Sequence, residues 1–540
     1  MPDSPAHEGR PAPTYPIADA VTTQARTVVP DGEPSEKPFP YEVSRYDELG
    51  LGRWVYGPGI PVETRDDLAP SGRRSVVGRL LSFFTMTDVH ITDEETPIQA
   101  VVFGYRGGAS SAYSPVMMYT TQVLDAAVQT INALHADEPF DFGICLGDAA
   151  NNTQLNELRW FIDVLDGHPI DPTSGDHPDG EQRPDYQVPF QPAGLDPEIP
   201  WYQSMGNHDH LWIGTLPVTD YLRSFYEGTA ILDLGDIFTD PRGVDSRGFY
   251  TGALDGRTPL GDVVGAGPVS AFPEHPQVPS ADPRRRSLRS REWMREFFTT
   301  TSQPVGHGFS QQNIDDDEAC YSFQPRADVP LTVLVLDDTQ RGTEPDRGGF
   351  GHGYLDQARL DWLVGELDRT RDAGDAVVIC CHVPIGVEKP GSYIGWSSDA
   401  IVSEDELVAT LHRYPHLLAW VAGHRHVNAV TPFPSPDPTR PELGFWQVET
   451  SSLRDFPQQV RRISIEVNDD STVSVVAVDI DPAVCEGTPA HRSRGYAVAA
   501  QQIFDNPIGL LPSGSTNVEL VTPVPPRVAD RLRACLAVTR

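Results

Sequence analysis

From about residue 78 the chain alternates short apolar runs with helical patterns, and this alternation limits the fold more than any other feature. The runs RLLSFFTMTD, FDFGICLGD, IPWYQSMG, PLTVLVLDD, DAVVICCH and HLLAWVAGH, bounded mostly by Gly, Pro, Asp or His, read as buried strands. Helices are predicted at 117–136, 154–165, 355–371 and 404–412. In the third, Leu360, Leu363 and Leu367 share a face with charges opposite. Strands alternating with helices argue for an α/β fold with a substantially parallel sheet core.

Two segments interrupt this rhythm. Residues 167–198, full of Pro, Asp and Gly, are expected as a surface loop. Residues 228–317 are too many for a structureless loop and are expected as an ordered insertion. Residues 1–77, rich in Pro, Gly and acids, are expected to be disordered over the first 20 or so and to wrap the domain thereafter. The main domain is then 78–482, with 483–540 an extension packed on it. Within it VRRISIEVNDDSTVSVVAVDI reads as a hairpin turning at Asn468-Asp469-Asp470-Ser471 and extending a sheet, and PPRVADRLRACLAV as a short helix.

Charge and cysteine usage narrow the class. The net charge is −36, with 77 acidic against 41 basic residues, and Lys37 and Lys389 are the only lysines. Such a surface repels nucleic acid and anionic membrane. No basic n-region with an apolar h-region opens the sequence, and no run reaches the roughly 18 apolar residues of a membrane helix. GRRSVVGRLLSFFTM imitates a twin-arginine signal, but it lies well inside the chain and its apolar part reads as a strand. A cytoplasmic protein is expected. Six cysteines without a CxxC pair, three of them (Cys145, Cys380 and Cys381) in apolar runs, make a disulfide scaffold unexpected.

The residues after the strands carry the chemistry. The first run ends in Asp88 and His90, the second in Asp148 with Asn151 and Asn152 behind it, and the third in Gly206-Asn207-His208-Asp209. Two later runs end in His382 and in Gly423-His424-x-His426. Ligands bind at the carboxyl ends of strands in open α/β sheets, so these side chains are expected to converge. A lone Asp-x-His is usually a turn. Five such ends in one order carry the signal. Carboxylates, imidazoles and one amide, without thiolate, suit hard or borderline divalent metals, and the donors exceed one tetrahedral ion, so two ions are the economical reading. Two metals can clamp both oxygens of an in-line displacement at phosphorus.

This set resembles the calcineurin-like metallophosphoesterase superfamily over roughly residues 78–480. The resemblance implies an α/β/β/α sandwich of two mixed β-sheets flanked by helices, here with long insertions. It implies a first metal held by Asp88, His90 and His426, a second held by Asn207, His382 and His424, and Asp148 bridging both. It also implies phosphoester hydrolysis by a metal-bound hydroxide, with His208 assisting and Asp209 orienting His208. The two divalent or mixed-valence ions would be drawn from Mn, Fe, Zn or Co. The phosphatase branch of that superfamily has Arg four residues after the bridging Asp, where this chain has Asn152. A small-molecule phosphomonoester or phosphodiester is the expected substrate, with no nucleic-acid or membrane partner. A nuclease, or a non-catalytic scaffold that retains the fold, is the alternative.

Substrate contacts are less defined. RRRSLRSREWMREFF, Arg284–Phe298, is an Arg cluster in an acidic chain: either a positive rim that includes Arg284 and Arg285, or a helix with an apolar stripe. GGFGHGYL lacks a phosphate-loop lysine and reads as a turn plus cap, with His352 a weak pocket candidate alongside Asn152. His210 has no role and is expected to be dispensable.

Overall fold

The structure, a computed structural model, describes residues 20–177, 182–235, 248–341, 351–386, 396, 401–504 and 514–538. Residues 1–19, parts of both interrupting segments, 348–350 of the glycine-rich stretch and Lys389 lie outside them.

Two mixed sheets dominate the fold. In chain order their strands are β1 (Glu63–Arg65), β2 (Val76–Met86), β3 (Phe142–Cys145), β4 (Trp201–Gln203), β5 (Tyr321–Phe323), β6 (Leu331–Val335) and β7 (Ala376–Cys380). There follow β8 (Leu417–Ala422), β9 (Ala429–Phe433), β10 (Phe445–Glu449), β11 (Val460–Asn468), β12 (Thr472–Ile480) and β13 (Val518–Pro523). The seven-stranded sheet runs β1-β13-β12-β11-β2-β3-β4 and the six-stranded sheet β5-β6-β7-β8-β10-β9. Parallel pairing links β2, β3 and β4 in one sheet and β6, β7, β8 and β10 in the other. The apolar part of the signal-like stretch is the 11-residue β2.

Alternation along the strands places the core. In the six-stranded sheet Val333, Val378 and Ala419 join a cluster with Phe83, Ile463 and Val475 of the other sheet. Their neighbours Leu334, Val377 and Trp420 instead join Leu360, Leu363, Leu367 and Leu407. A period of two thus gives each central strand one face to the other sheet and one to helices. The helices on that outer face are Gln357–Ala373 and Glu404–Leu411; Thr120–Asp137 and Leu155–Asp166 cover the seven-stranded sheet through Leu124, Val128, Leu158 and Phe161. Helix, sheet, sheet and helix form four layers.

The helix expected at 117–136 divides into a 3-10 turn, Pro115–Tyr119, and the α-helix, because Ser114 caps the turn and Pro115 supplies its first residue. The hairpin β11–β12 lies inside its sheet, since β11 also pairs with β2 and β12 with β13. The described part of 228–317 holds an antiparallel pair, Phe249–Asp255 with Asp262–Pro268, and a helix, Ser290–Glu296, that buries Trp293. All six cysteines are free. Among the described residues no helix is long and apolar enough to cross a membrane.

Candidate metal centre

The carboxyl ends of β2, β3, β4, β7 and β8 open onto one basin. Asp88 and His90 follow β2, Asp148 follows β3, Asn207 and His208 follow β4, His382 follows β7, and His424 and His426 follow β8. Asp88, His90, Asp148, Asn207, His382 and His426 are buried, and His208 and His424 half-buried. Asp88, His90, Asp148, His424 and His426 all have positive φ, between 48° and 69°. For residues other than glycine this left-handed conformation costs roughly 1–2 kcal/mol each. The turns are wound tightly enough to aim every one of these side chains into the basin.

Two groups of donors form. Around the first pocket, His426 Nε2 stands 3.1 Å from Asp88 Oδ1 and 3.2 Å from His90 Nε2. Around the second, Asn207 Oδ1 is 2.7 Å from His382 Nε2 and 3.1 Å from His424 Nδ1, and the two imidazole nitrogens are 3.2 Å apart. Asp148 Oδ2 lies between the pockets, 3.7 Å from His90 Nε2 and 3.4 Å from His382 Nε2. One oxygen therefore faces both groups.

Imidazole nitrogens that face one another in a buried basin need a proton or a cation between them. Burial alone lowers the pKa of His382, but Asp148 reverses this and lifts it to about 10; Asp88 and Asp455 do the same for His426, also to about 10. Burial holds His424 and His208 down at about 3. Burial would raise the pKa of Asp148, yet His382 and His208 hold it well below the usual carboxylate range. Bare oxygen and imidazole donors gathered in threes, with Asp148 in two of the groups, are compatible with divalent cations.

Outer contacts fix the rings. His382 Nδ1 donates to Leu146 O at 2.8 Å, and Asp455 Oδ2 holds His426 Nδ1 at 2.5 Å. Asp88 Oδ2 accepts from His424 N and Thr87 Oγ1. Carbonyl and carboxylate partners of this kind set which imidazole nitrogen is left for a metal. Gly206 sits so close to Asp148 that a Cβ there would fall 2.2 Å from Oδ1. A Cβ on Gly214, whose φ is +66°, would fall 2.2 Å from Asn207 Nδ2 and 2.6 Å from His208 Nε2.

Several expected roles do not match the contacts. Asp209 does not orient His208. Its carboxylate accepts the backbone N–H groups of Asp148, Ala149, Ala150 and Gly206, at 2.9 to 3.2 Å, and so ties the β4 turn to the β3 turn. His208 Nδ1 instead donates to Asn151 O at 2.8 Å. Arg285 is no rim residue: it is fully buried, 3.4 Å from Asp93, and bonded to Ser174. Arg284 is half-exposed but spent on Asp282. Asn152 turns away from the donors, its N–H on Glu157 and its amide on Gln99. His352 is buried with Nδ1 unpartnered, and its neighbour Gly353 bridges Thr339 and Trp396. His210 is engaged through Nε2 with Thr339 Oγ1 at 2.9 Å. It lines a cavity of about 270 Å³ with Met205, Arg223, Arg289, Asp337 and Arg341.

Sequence reasoning missed Arg454 and Asp455. They lie in TSSLRDFP, the segment after β10, which is a sixth strand end of the same kind.

No family model matches the chain, and no curated protein matches it. Among solved structures it is similar to a dimetal phosphatase from Danio rerio, at 11% identity over 75% of this chain and 98% of that one, with a TM-score of 0.37. It is also similar to GAP50, the anchor in the inner membrane complex of Plasmodium, at 10% identity over 78% of this chain and 95% of that one, with a TM-score of 0.29. Similarities at this level do not extend to function.

Proposed function

We propose that the chain is a dinuclear metal-dependent phosphoester hydrolase acting on a small phosphomonoester or phosphodiester. The observation that carries this reading is Asp148 Oδ2 standing between two buried donor groups, 3.7 Å from His90 Nε2 and 3.4 Å from His382 Nε2. Asp88, His90 and His426 would hold one ion and Asn207, His382 and His424 the other, with Asp148 common to both. Bound there, divalent cations supply the Lewis acidity that activates water and offsets charge on phosphoryl oxygens.

The chain's own groups complete the site. His208 is neutral, and its Nδ1–H is held by Asn151 O, so the bare Nε2 is the nitrogen that would accept a proton from the attacking water and then pass it to the leaving oxygen. The His208 backbone N–H donates to Asp148 Oδ1 at 2.8 Å, which keeps the proton-transfer group in register with the shared carboxylate. Asp209 acts one step further out, by locking the two turns together.

The test uses the full chain with Mn²⁺, before and after chelation, on p-nitrophenyl phosphate and bis-p-nitrophenyl phosphate, alongside elemental analysis. Bound metal together with hydrolysis that is lost on chelation and restored by metal is expected. His208→Ala should keep the metal and lower turnover by about 10²–10⁴-fold. A wild-type chain that takes up no metal, or hydrolyses neither ester, would overturn the reading.

A further inference from the structure

Arg454 is a buried cation whose partner is missing. It is fully buried, and Nη1 makes one hydrogen bond, 3.3 Å long, to Asn151 Oδ1; Nε and Nη2 make none. Three other buried arginines each stand beside a carboxylate. Arg285 lies 3.4 Å from Asp93, Arg359 3.7 Å from Asp337 and Arg461 2.6 Å from Asp479. Asp455 and Glu157 act on Arg454 only through space. A guanidinium taken out of water without a carboxylate or a full set of acceptors is strongly destabilising. A site that keeps one has a use for its charge.

Its position says which use. Asn151, the residue it bonds, also holds His208 Nδ1 through its backbone carbonyl. The charge of Arg454 is felt by both His90 and His208. The next residue, Asp455, grips His426. Arg454 therefore stands at the edge of the first donor pocket, beside the group assigned to proton transfer. The loop bearing Asp148, residues 147–154, contains no Lys or Arg and so supplies no cation.

We propose that Arg454 binds a non-bridging phosphoryl oxygen of the substrate beside His208, so that the cation of the site comes from the strand end after β10. The proposal rests on the phosphoester reading. Two free donors on one planar guanidinium match two oxygens of a phosphate, and a bidentate contact of this kind is one a lysine cannot reproduce.

Inorganic phosphate is the probe. Its affinity is measured by calorimetry for the wild type, Arg454→Met and Arg454→Lys, each as the Mn²⁺-loaded full chain with metal content checked. The rise in Tm on adding phosphate is measured for the same proteins after chelation. Arg454→Met should keep its metal, bind phosphate at least about tenfold more weakly and lose the phosphate-dependent rise in the chelated state; Arg454→Lys should weaken binding at least about threefold. If the methionine variant does not fold, the lysine variant decides alone. Phosphate binding within twofold of wild type in a folded variant would overturn the proposal and leave the guanidinium to a buried water. A wild-type chain that binds no metal would overturn the hydrolase reading instead, and the chelated-state measurement would still judge Arg454.

Discussion

The two donor pockets share Asp148 but are supported differently. The first contains Asp88, and Asp455 stands directly behind His426. The second has the neutral amide of Asn207, and His382 is backed by a backbone carbonyl, Leu146 O. Apart from the shared carboxylate, the donors of the first pocket include a carboxylate and those of the second do not, although Asp338 accepts from the His382 backbone N–H. Carboxylates raise the pKa of His382 and of His426 alike, so the difference lies in the donor carboxylate of the first pocket. A cation should therefore be held more tightly in the first pocket, and the second ion should be the exchangeable one.

Removing what the pockets share should have the largest effect. Asp148→Asn is expected to empty both pockets and to lower turnover by about 10³-fold or more, as judged by elemental analysis and esterase rates. Next, His382→Ala should leave one ion in the first pocket, whereas His426→Ala should cost the tighter ion; equal metal contents and equal affinities in the two variants would erase the proposed asymmetry. Asp455→Ala should weaken the tighter ion about 10–100-fold and leave the other unchanged in a competitive chelator titration.

The smallest effect lies outside both pockets. His307 is fully buried against Trp201, and burial lowers its pKa to about 4. The unfolded chain takes up this proton near the ordinary value of about 6.5, so the neutral ring contributes stability above that pH, and the contribution is lost as pH falls toward 4. Denaturant titrations of the chelated chain should show a loss of up to about 3 kcal/mol from this residue over that window, absent in His307→Asn.

The sandwich and the converging strand ends were legible because both are local patterns. Near-continuous apolar runs such as LTVLVL announce a strand with two buried faces, and an Asp or His beside Gly announces a turn at its end. What the sequence hid was side-chain direction and distant pairing. Asp209 adjoins His208 in sequence, yet the turn points its carboxylate back at the amides of 148–150. Arg285 looked like part of an exposed cluster because its partner, Asp93, comes from a distant segment. The strand end that carries Arg454 and Asp455 is hidden because FWQVE is short and has polar residues at alternate positions, which does not mark a buried strand. The superfamily resemblance offered no help there, since it placed the site's arginine in the loop where this chain has Asn152.

The strand order has a consequence for how the protein is made. The last donor in the chain is His426, whereas β13, which pairs with β12 and β1, comes nearly a hundred residues later. A ribosome therefore delivers the whole donor set before the seven-stranded sheet can close. Until β13 emerges, β12 presents an unpaired edge of nine residues, the kind of surface that chaperones cover and that neighbouring nascent chains can join.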